Sequence, residues 1–179
     1  MNQELRAFVA NRFDAVHSAK PVVNYPSWCT VDDASARPAA TLGYRVASEG
    51  QLFLEAYLDQ PIETIVSELF GTAVARGDIV EIGCLASTPT PALLKLWHDV
   101  AGRLQGTHEY AVATLTRPLR SMFARIGVPL VEIARADPAR VTDVSAWGRY
   151  YELEPVVCAG SIELGAAALS AYAARSQRN

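Results

Sequence analysis

The spacing of apolar residues predicts a helix near the start of the chain and extended segments after it. Residues 3–17 carry apolar side chains at helical spacing, namely Leu5, Phe8, Val9, Phe13 and Val16. The pattern then favours two strands, about 21–31 and 39–47, separated by a turn rich in Asp, Ser and Pro. Pro61 suits the first turn of a further helix, and Gly71 suits its end.

Strand and helix patterns then alternate through the middle of the chain. The predicted segments are a strand from Ile79, a helix to about Leu104, a strand YAVATL, a helix from Arg117 to Ile126 and a strand VPLVEIAR. This order predicts an α/β fold with a mixed central sheet flanked by helices.

The ends of the chain complete the predicted organisation. A loop or short helix starts at Asp137, the run PVVCAGSIE is predicted to be the last strand, and the Ala-rich remainder favours a helix. We expect one domain over residues 1–179, with an N-terminal helix within 1–20 and a C-terminal helical tail over 162–179. Residues 87–91 are expected to cap the helix that follows them.

Composition and charge narrow the classes of function. The chain carries 16 basic and 19 acidic side chains, a formal charge of −3, and no basic run, so nucleic acid is not an expected partner. The N-terminus has an early acid and no long apolar core, and no secretory signal peptide is expected. The longest weakly polar stretch, 155–172, is interrupted by Glu163, so no membrane span is expected.

The cysteines and histidines favour a reducing compartment and no metal site. Three cysteines form no CxxC pair, and free thiols fit a cytoplasmic location best. Three histidines are not at metal-ligand spacing, so no zinc site is expected.

One acidic residue interrupts the strand that begins at Ile79 and reads IVEIGCLAS. Burying the Glu81 carboxylate in a central strand is costly unless it is paired or hydrogen-bonded. A functional explanation is that Glu81 takes a proton from an attacking amine, or holds the amine by charge. The structural alternative is an ion pair inside the sheet, with Arg45 or Arg117 as partner.

Gly83 and Cys84 mark a place where this strand is expected to be irregular. Gly inside a strand often indicates a bulge or the close approach of a ligand to the backbone. A splayed strand here would offer backbone groups to an extended pantetheine arm, and one N–H could stabilise an oxyanion. The alternative for Gly83 is an ordinary bulge. Cys84 is also a candidate nucleophile, although no histidine lies near it in sequence.

Acidic residues concentrate before the helix that begins at Pro61. They could capture an ammonium group or another polar amine; the cluster comprises Glu55, Asp59 and Glu63, with Tyr57 among them. Alternatively, Asp59 caps the helix and Glu63 complements its dipole. Arg45 is expected to pair with this cluster or with a substrate carboxylate.

Two arginines and three aromatic residues complete the candidates. Arg117 and Arg120 stand near a helix N-terminus, where positive charge opposes the helix dipole. This unfavourable placement suggests that the arginines bind an anion, such as the phosphate of phosphopantetheine or of a nucleotide. The alternative is that both are ordinary surface arginines. Trp147, Tyr150 and Tyr151 are candidates for the wall of an acyl pocket, although such spacing is more often found in a core.

Several segments together resemble the thermostable hemolysin family. They are LGYRVASEGQLFLEAYLDQPIE (42–63), GDIVEIGCLAS (77–87), TLTRPLRSMFARIGVPL (114–130), ADPAR (136–140) and WGRYYELEP (147–155). The resemblance extends over roughly residues 20–160, and the combination is more specific than any single segment. One departure is Cys84, because Asn is usual at this position of the family.

The resemblance implies a fold similar to the GNAT superfamily of N-acyltransferases, in particular the acyl-homoserine-lactone synthases and N-acyl amino acid synthases. With the patterns above, it gives Glu81, Gly83 and Cys84 as catalytic candidates, Leu85, Arg117 and Arg120 as donor-binding candidates, and Arg45, Glu55, Tyr57, Asp59 and Trp147 as substrate-binding candidates. The implied reaction moves an acyl group to an amine or amino acid in small-molecule biosynthesis.

The donor implied is an acyl-pantetheine thioester, with no tightly bound cofactor. The pyrophosphate loop of ordinary GNAT enzymes, (R/Q)xxGx(G/A), is missing, because the chain reads ASTPTPALLKL after Leu85. An acyl carrier protein is therefore favoured over free CoA.

Two other functions stay open at this point. The family name suggests a membrane-active protein, yet the sequence has no basic amphipathic helix and no spanning segment. Lysis could instead come from an amphiphilic product such as an acylated amino acid. The other alternative is a non-catalytic GNAT-like partner subunit, which the unusual Cys84 keeps open. A homodimer is also left open.

Overall fold

A computed structural model describes residues 2–22, 24–88 and 91–176, and within them a six-stranded sheet is flanked by helices. The strands are β1 (Ser27–Asp32), β2 (Pro38–Val46), β3 (Ile79–Ser87), β4 (Tyr110–Leu115), β5 (Val131–Arg135) and β6 (Val156–Ser161). The helices are α1 (Gln3–His17), α2 (Ile62–Phe70), α3 (Ala92–Leu104), α4 (Arg117–Ile126) and α5 (Ile162–Ser176).

The sheet is mixed, as the sequence predicted. Its strand order is β1-β2-β3-β4-β6-β5, in which only the central β3–β4 pair is parallel. Helix α3 connects these two strands, since parallel neighbours need a crossover. The predicted mixed α/β class is confirmed.

Local signals explain most element boundaries. Gly71 and Gly127 adopt positive φ angles of 67° and 91° where α2 and α4 end, a conformation that glycine tolerates without a steric penalty. The first strand begins at Ser27, later than the predicted residue 21, because Pro26 has no N–H to donate to a sheet. Residues 89 and 90 of the predicted cap and residues 177–179 of the predicted tail lie outside the described residues.

The core has a layer on each face of the sheet. One layer packs α3, α4 and α5 against Val80 and Ile82, while the other packs α2 and the 52–58 segment against Ile79 and Val112. Helix α1 makes a smaller cluster in which Val9 and Phe13 meet Ala86 near the end of β3. Because side chains alternate along β3, Glu81 faces the α2 layer.

Candidate active site

A cavity of about 460 Å³ opens where β3 and β4 part. The register between these strands runs from Ile79–Tyr110 to Ile82–Ala113 and goes no further. Residues from both core layers line the cavity, with Glu81, Phe53, Tyr57 and Thr114 on one face and Trp97, Leu115 and Leu119 on the other. A ligand in the gap can therefore contact a polar group on one face and apolar groups on the other.

A second cavity, of about 80 Å³, adjoins the first on the α3 side. The two share Ile82, Trp97, Ala113 and Leu115. The other residues around the small cavity include apolar side chains of α3, α4 and α5. This space suits the end of a hydrocarbon chain.

Glu81 is held by backbone N–H groups. Its side chain is 2% exposed, Oε1 accepts a bond from Leu54 N at 2.9 Å, and Oε2 accepts one from Phe53 N at 3.0 Å. Burial raises the pKa of this carboxyl group, and the two N–H bonds partly offset the effect. Glu81 thus fixes the short 3₁₀ helix Phe53–Tyr57 that forms one wall of the cavity.

The structural alternative for Glu81, an ion pair with Arg45 or Arg117, is not formed among the described residues, where backbone N–H groups bind the carboxylate instead. Arg45, its cross-strand neighbour, donates to the carbonyls of Asn24 at 2.6 Å and Gln51 at 3.2 Å. Arg117 lies 3.6 Å from Glu154. Backbone donors from a sequence-distant segment have taken the place of the predicted arginine, because they satisfy both carboxylate oxygens at once.

Gly83 lies beneath an aromatic ring. It is the register partner of Gly43, and a Cβ atom at Gly83 would overlap Tyr25 Oη. A Cβ atom at Gly43 would lie 2.6 Å from Tyr25 Cβ. The two glycines therefore make room for Tyr25, whose ring lines the cavity beside Glu81.

Cys84 occupies a bulge. Between the pairs Gly43–Gly83 and Thr41–Ala86, two residues of β3 oppose one residue of β2, and Cys84 has a φ angle of 49°. Asn is enriched in this left-handed region, so the backbone at this position would accept an Asn. Burial, with a smaller contribution from the Glu81 charge, raises the pKa of the thiol to about 12, so it stays protonated near neutral pH.

Most of the acidic cluster points away from the cavity. Glu55 and Glu63 bind Arg76 at 2.8 Å and 2.6 Å, and Glu55 also accepts the N–H groups of Leu52 and Ile62. The predicted cap by Asp59 is wrong, because α2 has no side-chain cap. Asp59 is 88% exposed and pairs with Arg140 at 2.8 Å. Of the cluster, Tyr57 alone is among the residues that line the cavity.

Arg117 and Arg120 of α4 are outside the cavity lining. Arg120 donates to the carbonyls of Leu115 at 2.6 Å and Glu154 at 2.8 Å, and it pairs with Glu132 at 2.8 Å. These contacts engage Nη1 and Nε of the Arg120 guanidinium. Arg117 forms an ion pair with Glu154, but its side chain is 66% exposed and is therefore accessible from solvent.

Aromatic rings surround the Glu81 side of the cavity. Trp147 lies 5.3 Å from Phe53 and 5.2 Å from Tyr150, measured between ring centroids. Tyr57 shares a hydroxyl hydrogen bond of 2.8 Å with Tyr151. Trp147 was predicted to wall an acyl pocket, but its neighbours place it on the face that carries Glu81.

The sequence patterns do not indicate several of the lining residues, among them His17, Tyr25, Trp97 and Thr114. Buried polar atoms without a hydrogen-bond partner in the described part of the chain include His17 Nδ1, Trp97 Nε1 and Thr114 Oγ1. The signal for Tyr25 is the pair Gly43 and Gly83, which leaves room for its ring. The two glycines are neighbours only through the register of β2 and β3, which the sequence does not show. No comparable pattern marks the other three.

Comparison with known proteins gives a family and a fold. The profile of the thermostable hemolysin family matches residues 1–166. No curated protein matches the chain significantly. No helix in the described ranges is long and apolar enough to cross a membrane.

Solved structures share the architecture at low sequence identity. TofI, in a ternary complex with an inhibitor and MTA, is 12% identical with a TM-score of 0.56, over 94% of this chain and 92% of that chain. FeeM, an N-acyl amino acid synthase from uncultured soil microbes, is 13% identical with a TM-score of 0.56, over 88% of each chain. MesI, a CoA-dependent acyl-homoserine lactone synthase, is 10% identical with a TM-score of 0.55, over 94% and 87%. These likenesses confirm the predicted GNAT-like fold.

Proposed function

The chain belongs to the thermostable hemolysin family, and we propose that it is an N-acyltransferase that moves an acyl group from a pantetheine thioester to an amine. The observation that carries the proposal is the cavity in the β3–β4 gap, which has a buried carboxylate on one face and apolar side chains on the other. The carboxylate face suits an amine, and the apolar face suits an acyl chain. For acyl transfer the amine nitrogen must reach the carbonyl carbon of the acyl group.

The amine is proposed to bind on the Glu81 face. The Glu81 carboxylate attracts an ammonium group, and its two backbone bonds keep it in one orientation. Aromatic rings of Tyr57 and Trp147 lie around the same space and offer π faces to a cation. Arg45 lines the cavity and provides positive charge for the carboxylate of an amino-acid acceptor.

The acyl group is proposed to pass through the gap toward α3. Leu85, Trp97 and Leu119 line this side, and the 80 Å³ cavity extends it. The pantetheine arm would lie along β3 beyond Ile82, where β4 no longer pairs with it. There a backbone N–H of Gly83 or Cys84 would polarise the thioester carbonyl, without a role for the Cys84 thiol.

An acyl carrier protein is the proposed donor, since the sequence lacks the pyrophosphate loop. Arg117 is exposed and lies at the start of α4, so it is the proposed contact for the phosphate of the pantetheine arm. The likeness to FeeM and MesI supports acyl transfer as the reaction class through fold alone. A cytoplasmic location stays a prediction.

The test is product formation by the purified protein. Panels of acyl-carrier and acyl-CoA thioesters are incubated with amines and amino acids, and mass spectrometry follows amide and free thiol. We expect an amide, formed with an equal amount of thiol, and a rate at least about 10²-fold lower for Glu81→Gln. The matched control is Glu109→Gln, an exposed acid outside the cavity lining. Binding of thioesters without any product would favour a non-catalytic partner subunit instead.

A further inference from the structure

His17 ends α1 and lines the same cavity as Glu81. Its ring lies 5.7 Å from Phe13 and 5.4 Å from Tyr150, centroid to centroid, with the second contact edge-on. Tyr150 in turn donates its hydroxyl to the backbone carbonyl of Thr114 on β4, at 3.2 Å. Tyr150 therefore contacts both the imidazole of His17 and the backbone at the edge of the gap.

The imidazole has a ring nitrogen that the fold does not use. Nδ1 is buried and has no hydrogen-bond partner in the described part of the chain. Burial, reinforced by the guanidinium of Arg149, lowers the pKa of His17, so the ring is neutral near pH 7. A neutral imidazole carries a lone pair that can accept a proton.

The other titratable groups around the cavity are less suited to take a proton. Burial raises the pKa of each phenol and of the thiol, so these groups keep their protons near pH 7; they are Tyr25, Tyr57, Tyr150 and Cys84. Arg45 and Arg149 are cations. Glu81 accepts one backbone N–H on each oxygen, and a proton placed there would weaken a bond that holds the 53–57 wall.

We propose that His17 is the base that takes a proton from the acceptor ammonium, an inference that rests on the acyl transfer proposed above. The imidazole accepts one proton from the ammonium, which frees the amine lone pair. The amine nitrogen bonds to the thioester carbon, the C–S bond breaks, and the second nitrogen proton passes to the departing thiolate. His17 then releases its proton to solvent, so one amide, one thiol and one proton are formed.

The test is the pH dependence of kcat/KM for the wild type, His17→Gln and His17→Phe. Phe keeps an aromatic ring against Phe13 and Tyr150 but has no nitrogen. We expect both variants to lose roughly 10²-fold or more in kcat/KM. For the wild type we expect kcat/KM to fall as pH drops through the lowered pKa of His17, and we expect this acid limb to be absent from both variants. His98→Gln is the control, because His98 is 54% exposed and does not line the cavity.

A measurement on the wild type keeps the inference testable if the variants do not fold. The imidazole of His17 is titrated by NMR, and its pKa should coincide with the acid limb of kcat/KM. A limb that does not follow this titration, or activity retained by His17→Phe, would overturn the role of His17 and leave acyl transfer standing. No amide from the wild type with any thioester would overturn the proposed function, and the role of His17 with it.

Discussion

Gly43 and Gly83 face each other across β2 and β3, and the ring of Tyr25 covers both. Neither position has space for a Cβ atom without displacing that ring. The pair thus places a buried phenol on the Glu81 side of the gap, where burial holds the pKa of Tyr25 well above its usual range. The hydroxyl stays a hydrogen-bond donor at the proposed reaction site.

Replacing Gly83 with Ala should destabilise the protein by roughly 1–3 kcal/mol, because the new Cβ atom would lie 2.6 Å from Tyr25 Cζ. Urea unfolding measures the loss. Gly77→Ala is the control, since nothing lies within 4 Å of a Cβ atom there. In a Tyr25→Ala background the cost of Gly83→Ala should shrink. An unchanged cost in that background would contradict the proposed packing.

Replacing Cys84 with Asn should leave stability equal or higher, because Asn accepts the left-handed backbone that Cys84 adopts. Cys84→Val should cost roughly 1–2 kcal/mol, since a β-branched side chain is strained there. The matched control is Cys158→Asn, at a cysteine 1% exposed within β6, where an added amide should be strongly destabilising. Similar losses at Cys84 and Cys158 would argue against the conformational explanation.

Replacing Arg76 with Met should lower the free energy of unfolding by about 2 kcal/mol, because two partly buried carboxylates lose a charged partner. Arg76 also donates to the carbonyls of Ala47 and Gly50, so the loss extends to the turn after β2. Arg37→Met, in an exposed pair with Asp33, should cost less than about 1 kcal/mol. Equal effects of the two substitutions would contradict the larger stabilising role given to Arg76.

Stability should also depend on the charge of His17. Because folding lowers its pKa, the unfolded chain binds this proton more tightly than the folded one. The stability that neutral His17 contributes is complete above its unfolded pKa of about 6.5 and is lost as pH falls through the lower folded value. Urea midpoints between pH 5 and 8 should fall less steeply on the acid side for His17→Gln than for the wild type.

The elements were predictable from local signals, as α4 shows. Its limits, Arg117 and Ile126, follow from the strand before it and from Gly127, which ends the helix. The start of β1 was placed too early, since Pro21 to Pro26 reads as extended chain whether or not it joins a sheet. The separation of β3 from β4 depends on pairing across a crossover, which no single segment encodes.

From the sequence, a site residue could be predicted only where its side chain conflicts with the pattern of the segment around it. Glu81 was identified because a carboxylate in a buried strand needs a partner, but its donors, Phe53 and Leu54, are 28 and 27 residues away. Tyr25 and His17 looked ordinary, since an aromatic residue in a loop and a histidine at a helix end carry no local conflict. The acids of the 55–63 segment suggested a substrate site, and a distant arginine, Arg76, binds two of them instead.

The most direct measurement of the central claim is the rate of amide formation by Ala113→Leu. Ala113 lines both cavities at the last paired position of β3 and β4, so a Leu side chain there would fill the path proposed for the acyl group. We predict an unfolding temperature near that of the wild type and a rate lower by roughly 10²-fold, because the thioester no longer reaches its place beside the amine. Wild-type rates with long acyl donors in a folded Ala113→Leu protein would contradict acyl transfer through the gap.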